Sequence, residues 1–226
     1  NAGNIIEKAS GNSSISTNTG IVQNLNGGTF NIGSGNAAIT IAGVIWTGCT
    51  DSDWATASNW NGLAVPVAID DVIIPNTTND PVIMAGTAAL AKSVTVQSGG
   101  SMTIDASGSL TINGAVAYGI RNQGTVANNG VISIGAVTAG GSDGIQNYGM
   151  FSNNTGAEIN IDRTTSNGIL NQATFSNAAK ITIGALAGVG NYGMSSHGTF
   201  NNTVGGEISI DRSATMGLYN TSAFTN

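Results

Sequence analysis

The chain has 226 residues, 33 of them glycine, and only 8% are Asp, Glu, Lys or Arg against about 25% in an ordinary globular domain, so hydroxyls and amides must wet its surface. The 12 acidic and 6 basic residues leave a net charge of −6 with no basic cluster, which excludes nucleic acid as a partner, and no apolar run approaches the roughly 18 residues that span a bilayer. One cysteine, Cys49, and one histidine, His197, exclude an intrachain disulfide and any Cys- or His-rich metal site.

Residues 1–20 lack the basic start and apolar core of a signal peptide, so the chain reads as an excerpt or a mature product. Within 1–44, Gly20-Ile21, Thr29-Phe30 and Ile39-Thr40-Ile41 follow the order that recurs after residue 120, which predicts one or more solenoid coils. Ile32 departs from that pattern, where the later repeats place Asn.

Residues 45–92 differ in composition: Trp46, Trp54, Trp60, Pro66, Pro75 and Pro81 all fall there. This stretch reads as an insertion packed on the solenoid, or as the start of a new block. Cys49 is expected to be a small packing residue.

The segment from Ser93 to Val116 reads SVTVQSGG, SMTIDASG and SLTINGAV, three octets beginning Ser-apolar-Thr-apolar and totalling 24 residues. Alternation of this kind means strand, and so short a strand buries its apolar side only against a neighbour directly above or below it. Three such sides close a triangular coil, with Thr95, Thr103 and Thr111 on different sides.

The run Trp46-Thr47-Gly48, Asp53-Trp54, Ser58-Asn59-Trp60, Pro66 and Asp70-Asp71-Val72-Ile73-Ile74-Pro75, followed by the octets, resembles a segment common in large secreted and surface proteins of Bacteroidetes bacteria. The resemblance covers residues 45–114. It implies an extracellular or cell-surface, repeat-rich protein, often exported by a type IX system. Relatives of that kind share no single activity.

Beyond residue 118 the repeat becomes regular. Val126/Asn128, Phe151/Asn153, Phe175/Asn177, Phe200/Asn202 and Phe224/Asn226 follow one another at steps of 25, 24, 25 and 24 residues. Ile-x-Ile recurs at Ile132, Ile159, Ile181 and Ile208, and Gly-apolar-x-Asn ends at Asn122, Asn147, Asn171 and Asn220. Together with the octets, these columns predict an all-β chain, a right-handed parallel β-helix (β-solenoid) with triangular coils of 24–25 residues, regular over 93–226.

The stacking makes specific demands. Asn122, Asn147 and Asn171, and likewise Asn128, Asn153, Asn177 and Asn202, fall two places after an inward residue, so they are expected to form hydrogen-bonded ladders. Phe151, Phe175, Phe200 and Phe224 are expected to stack in one interior row. Before each Ile-x-Ile come Val131, Glu158, Lys180 and Glu207, a charge ladder alternating in sign. IDRTTSNGILN at 161–171 and IDRSATMGLYN at 210–220 define a larger unit of 49 residues. Matching NYGM at 147–150 with NYGM at 191–194 leaves Met194-Ser195-Ser196-His197-Gly198 as a five-residue excess, expected as a surface loop.

Asp51, Asp53, Asp70, Asp71 and Asp80 are the densest carboxylates; they are expected to be solvated or turn-capping, with a structural Ca²⁺ as the weaker reading and no other cofactor. Arg163 and Arg212 lie in the duplicated run and serve the repeat, so an enzyme acting on polysaccharide is not expected. Trp54, Trp60, Tyr118, Tyr148, Tyr192 and Tyr219 are expected as packing or corner residues, with contact to surface glycans as the alternative. An ice-binding face requires a flat Thr row, whereas the outward column Ala127, Ser152, Ser176, Asn201 and Thr225 is flat but poor in Thr. The expected role is therefore structural or adhesive: an extracellular rod joined end to end with like subunits or adjoining solenoid segments.

Overall fold

The computed structural model describes residues 43–226, so the coil expected within residues 20–44 lies outside the described residues apart from its last two positions. The chain divides into two units, Asn1–Ile41 and Ala42–Asn226. The account below concerns the second.

Among the described residues a short strand, β1 (Val44–Ile45), comes first, and a turn of 3-10 helix, Ala57–Asn59, follows. Strands then come in threes: β2 (Asp71–Ile74), β3 (Val82–Ile83) and β4 (Ala88–Ala91), then β5 (Ser93–Val96), β6 (Ser101–Ile104) and β7 (Ser109–Ile112). The next triplets are β8 (Tyr118–Asn122), β9 (Thr125–Asn128) and β10 (Val131–Ile134), then β11 (Asp143–Asn147), β12 (Met150–Asn153) and β13 (Glu158–Ile161). They continue with β14 (Ile169–Asn171), β15 (Thr174–Asn177) and β16 (Lys180–Ile183), then β17 (Tyr192–Ser196), β18 (Thr199–Asn202) and β19 (Glu207–Ile210), and end with β20 (Met216–Asn220) and β21 (Phe224–Thr225).

Every third strand pairs in parallel. The first sheet runs β1-β2-β5-β8-β11-β14-β17-β20, the second β3-β6-β9-β12-β15-β18-β21 and the third β4-β7-β10-β13-β16-β19. Over the described residues the protein is therefore an all-β, three-sided β-solenoid with eight layers on its longest face. Thr95, Thr103 and Thr111 lie on the first, second and third sheets.

Each strand of the octet coil alternates a partly exposed and a buried residue, so that coil sends six side chains inward. In the octet coil these are Val94, Val96, Met102, Ile104, Leu110 and Ile112, all fully buried. Burial of one such side chain stabilises by about 1.5–3 kcal/mol, and the stack collects this only because each coil is covered by the next. In the coil above, the inward set is Ile120, Asn122, Val126, Asn128, Ile132 and Ile134. Two apolar places are replaced by amides, which must be bonded internally.

The corner between the first and second sheets explains one glycine column. A Cβ on Gly124 would collide with the carbonyl oxygens of Gly100 and Gln97 in the coil beneath, and one on Gly149 with that of Gly124. Any side chain there would push the layers apart.

Two differences from the sequence reading concern the start of the stack. Regular coils begin at Asp71 rather than Ser93, because β2, β3 and β4 already form a complete triplet. The signal was hidden by a two-residue strand bounded by Pro81 and by the small residues of β4. For the Trp-rich stretch the insertion reading fails and the other, the start of a block, fits: Val44 and Ile45 pair with Val72 and Ile73, and Trp54 N donates to Val82 O. Trp46, Trp54 and Trp60 are fully buried, meet edge to face at 4.9 and 4.7 Å, and belong to the same core as Ile74 and Ile83. Residues 44–60 thus form the first of the described layers. Cys49, expected to be packed, is exposed on the loop between Trp46 and Trp54.

Candidate functional site

Two columns of asparagine run through the interior. Asn122 Nδ2 donates to Asn147 Oδ1 at 2.8 Å, Asn147 to Asn171 at 2.9 Å, and Asn171 to Ser196 Oγ at 3.1 Å. In the second column Asn128 donates to Asn153, Asn153 to Asn177 and Asn177 to Asn202, each at 2.8 Å, and Asn202 donates to Asn226. The second amide proton goes to a main-chain carbonyl of the coil above, such as Met150 O for Asn122 and Glu158 O for Asn128. The Oδ1 atoms of Asn122, Asn128, Asn147, Asn171 and Asn177 also accept the amide two residues on, as from Gly124 N and Gly130 N. The buried amides are thus almost fully bonded, which removes the penalty for placing them in an apolar interior.

Beside the second column, Phe151, Phe175, Phe200 and Phe224 stack with centroids 4.7, 5.0 and 5.2 Å apart and planes within 14°. Their spacing follows the layer rise. In the charge ladder, Lys180 Nζ lies 3.1 Å from Glu158 Oε1, while Glu207 is in register with Lys180 but forms no ion pair with it among the described residues. Lys180 reaches one neighbour, so the expected attraction of every adjacent pair is realised on one side only.

The expected five-residue excess at 194–198 is absent. Met194 is in register with Ile169, and Ser196 with Asn171, so Met194 and Ser196 are buried strand residues of β17. The two NYGM tetrapeptides occupy different places: Asn147 is a ladder residue, whereas Asn191 precedes its strand. His197 is exposed at the corner, with Nδ1 2.8 Å from Thr221 Oγ1 and Nε2 3.2 Å from Ser195 Oγ. Ser196 interrupts the first ladder, since its hydroxyl donates to Gly198 O and Asn220 Oδ1 is left buried without a partner.

The 49-residue unit has a physical basis. Asp162 accepts the amides of Leu186 and Ala187 in the coil above at 2.8 and 3.0 Å, and Arg163 Nη1 donates to Gly135 O in the coil below at 2.8 Å and to Ala136 O. Arg212 repeats this with Gly184 O and Ala185 O. The Asp-Arg pair thus clasps the corner loops on either side.

The aspartates of the Trp layer are engaged locally. Asp51 accepts from Asn59 Nδ2, Asp53 N and Thr56 Oγ1, and these bonds hold its carboxyl below the usual range. Asp53 caps Ala55 N, and Asp70 caps Val67 N. Burial acts to raise Asp71, yet bonds from Ser93 and Lys92, the latter at 2.9 Å, hold it below the ordinary value. Among the described residues no three acidic, His or Cys side chains gather as a metal site would require. Asp80 is pushed up by burial against the opposing bond from Ser101 N, and its Oδ1 has no partner.

The outer face of the first sheet gathers the tyrosines. Arg121 sits over Tyr118 at 5.8 Å and over Tyr148 at 5.4 Å, and Thr95 Oγ1 lies 3.2 Å from the Tyr118 hydroxyl. Further along, Tyr192 and Tyr219 stack at 5.1 Å, with His197 5.8 Å from Tyr219. Trp54 and Trp60, considered with these tyrosines for sugar contact, are buried and unavailable. Arg121 was not singled out in the sequence as a site residue; its only signal is an Arg three residues after a Tyr, in a chain with few cations.

This architecture defines a β-solenoid repeat protein with an amide-laddered interior and a tyrosine-bearing outer face on its first sheet. The chain belongs to a family described as a domain of unknown function (DUF8693), whose model matches residues 45–167. That match begins where the Trp-rich first layer begins. Neither the curated proteins nor the solved structures returned a match.

Proposed function

We propose that the chain is a structural segment of an extracellular, repeat-built surface protein, a stiff spacer that presents its outer faces and joins like or adjoining solenoid segments end to end. The observation that carries this reading is the unbroken parallel register of the first sheet through eight strands, which ties successive coils into one core. Rows of side-chain and main-chain hydrogen bonds run along the stack axis, so bending it means breaking many bonds together. The resemblance of residues 45–114 to secreted Bacteroidetes segments supports the extracellular placement. Engagement of Asp162, Arg163 and Arg212 in corner loops supports a non-catalytic role.

The test has two readouts. Antibodies raised against the chain should label intact, unpermeabilised cells that express the whole natural protein, and electron micrographs of that protein should show rods. Labelling only after permeabilisation would refute the placement, and compact particles the spacer role. Incubation with a polysaccharide panel should release neither reducing nor unsaturated ends; release abolished by substituting one Asp-Arg pair would replace this reading with an enzymatic one.

A further inference from the structure

We infer that Arg121, flanked by Tyr118 and Tyr148 on the outer face of the first sheet, binds the carboxylate of a uronic-acid polysaccharide. Among the described cations, Lys92 pairs with Asp71 at 2.9 Å and Lys180 with Glu158 at 3.1 Å. Arg163 and Arg212 spend their guanidinium groups on loop carbonyls. Arg121 alone has no hydrogen-bond acceptor among the described residues, and its Nε is buried without a partner. The carboxylate on the adjoining strand, Asp143, is in register with Tyr118 but engaged: its Oδ1 accepts from Asn167 N and Nδ2, and its Oδ2 from Gln146 Nε2. A planar, permanently charged fork is therefore held by two aromatic rings with its hydrogen-bonding capacity unused. A carboxylate is the group that matches it.

The surroundings select the rest of the ligand. Arg121 is in register with Thr95 below and Gln146 above, so uncharged hydroxyl and amide groups adjoin it. Tyr148 is 39% exposed and offers a ring face for stacking. Since β8 is paired on both edges, by β5 and β11, a peptide cannot add there as a strand. The second aromatic cluster, at Tyr192 and Tyr219, begins three layers further along the same face, about 14 Å away, a span that suits an extended oligomer rather than a monosaccharide. This inference gives an outer face of the proposed spacer a ligand class, and rests on that reading only in placing the chain where polysaccharide occurs.

The test is titration calorimetry of the full chain with oligogalacturonate and oligomannuronate, against neutral cello- and xylo-oligosaccharides and poly-glutamate. Binding is expected for the uronates alone, weakening as salt rises from about 0.05 to 0.5 M. Arg121→Gln should lower affinity at least about tenfold, Arg121→Lys less, and Lys180→Gln on the third sheet not at all. Tyr148→Ala, at an exposed corner, should also weaken binding, and keeps the test decisive if Arg121→Gln alters the circular dichroism spectrum. Uronate binding that ignores both substitutions, equal binding of poly-glutamate, or no uronate binding would overturn the inference. Each leaves the cell-labelling and rod measurements untouched, so the two failures are distinguishable.

Discussion

Asn147 stands one layer above Asn122, accepts its Nδ2 proton at 2.8 Å, and passes its own Nδ2 proton to Asn171 at 2.9 Å. Each amide is therefore donor to the coil above and acceptor from the coil below. Replacing one member breaks bonds in three layers. Asn147→Ala would strip Asn122 of one acceptor, Asn171 of one donor, and Gly149 N of its side-chain partner. The expected loss is about 2–3 kcal/mol, read as a lower midpoint in denaturant titration. A midpoint within error of the parent would mean that the ladder contributes nothing net.

The interruption at Ser196 predicts the opposite sign. Asn220 Oδ1 is buried and unpartnered because the serine beneath it is too short to reach and donates to Gly198 O instead. Asn122, Asn147 and Asn171 show that this column holds an amide, so Ser196→Asn should restore the bond. A gain of about 1 kcal/mol is expected in the same titration, and a loss would show that the corner at His197 lacks room.

Asp80 gives a prediction in pH. Burial raises its folded-state value, so the folded protein favours the protonated form. The contribution to stability is full below the ordinary carboxylate range and is lost as pH rises through the raised value. Asp80→Asn should therefore melt higher than the parent at neutral pH, with the advantage fading below about pH 4. Equal melting temperatures across the range would contradict this origin of the shift.

The fold was legible in the sequence because a solenoid writes its geometry as a period. Inward positions recur every 24–25 residues, as in Phe151, Phe175 and Phe200, and need no knowledge of distant contacts. Other features depended on just such contacts. The repeated NYGM tetrapeptide drew the alignment away from the true register, because four identical letters at 147 and 191 face different neighbours. Trp54 and Trp60 read as packing residues and are buried, yet no local pattern named their partners, Trp46 and β3 across the layer. Nor did any local pattern show that Asp143 is committed to Asn167 and Gln146, the fact that leaves Arg121 unpaired.

The central claim is that equivalent side chains lie one above another at a constant rise, and spin-label distances test it most directly. On the second sheet, Thr103, Ala127, Ser152, Ser176, Asn201 and Thr225 form one outward column in register. In a Cys49→Ser background, labels on cysteines placed at Thr103 and Asn201 should lie about 19 Å apart, and at Thr103 and Thr225 about 24 Å, an increment of one layer. Broad distributions, or a second distance no longer than the first, would contradict the stacked solenoid.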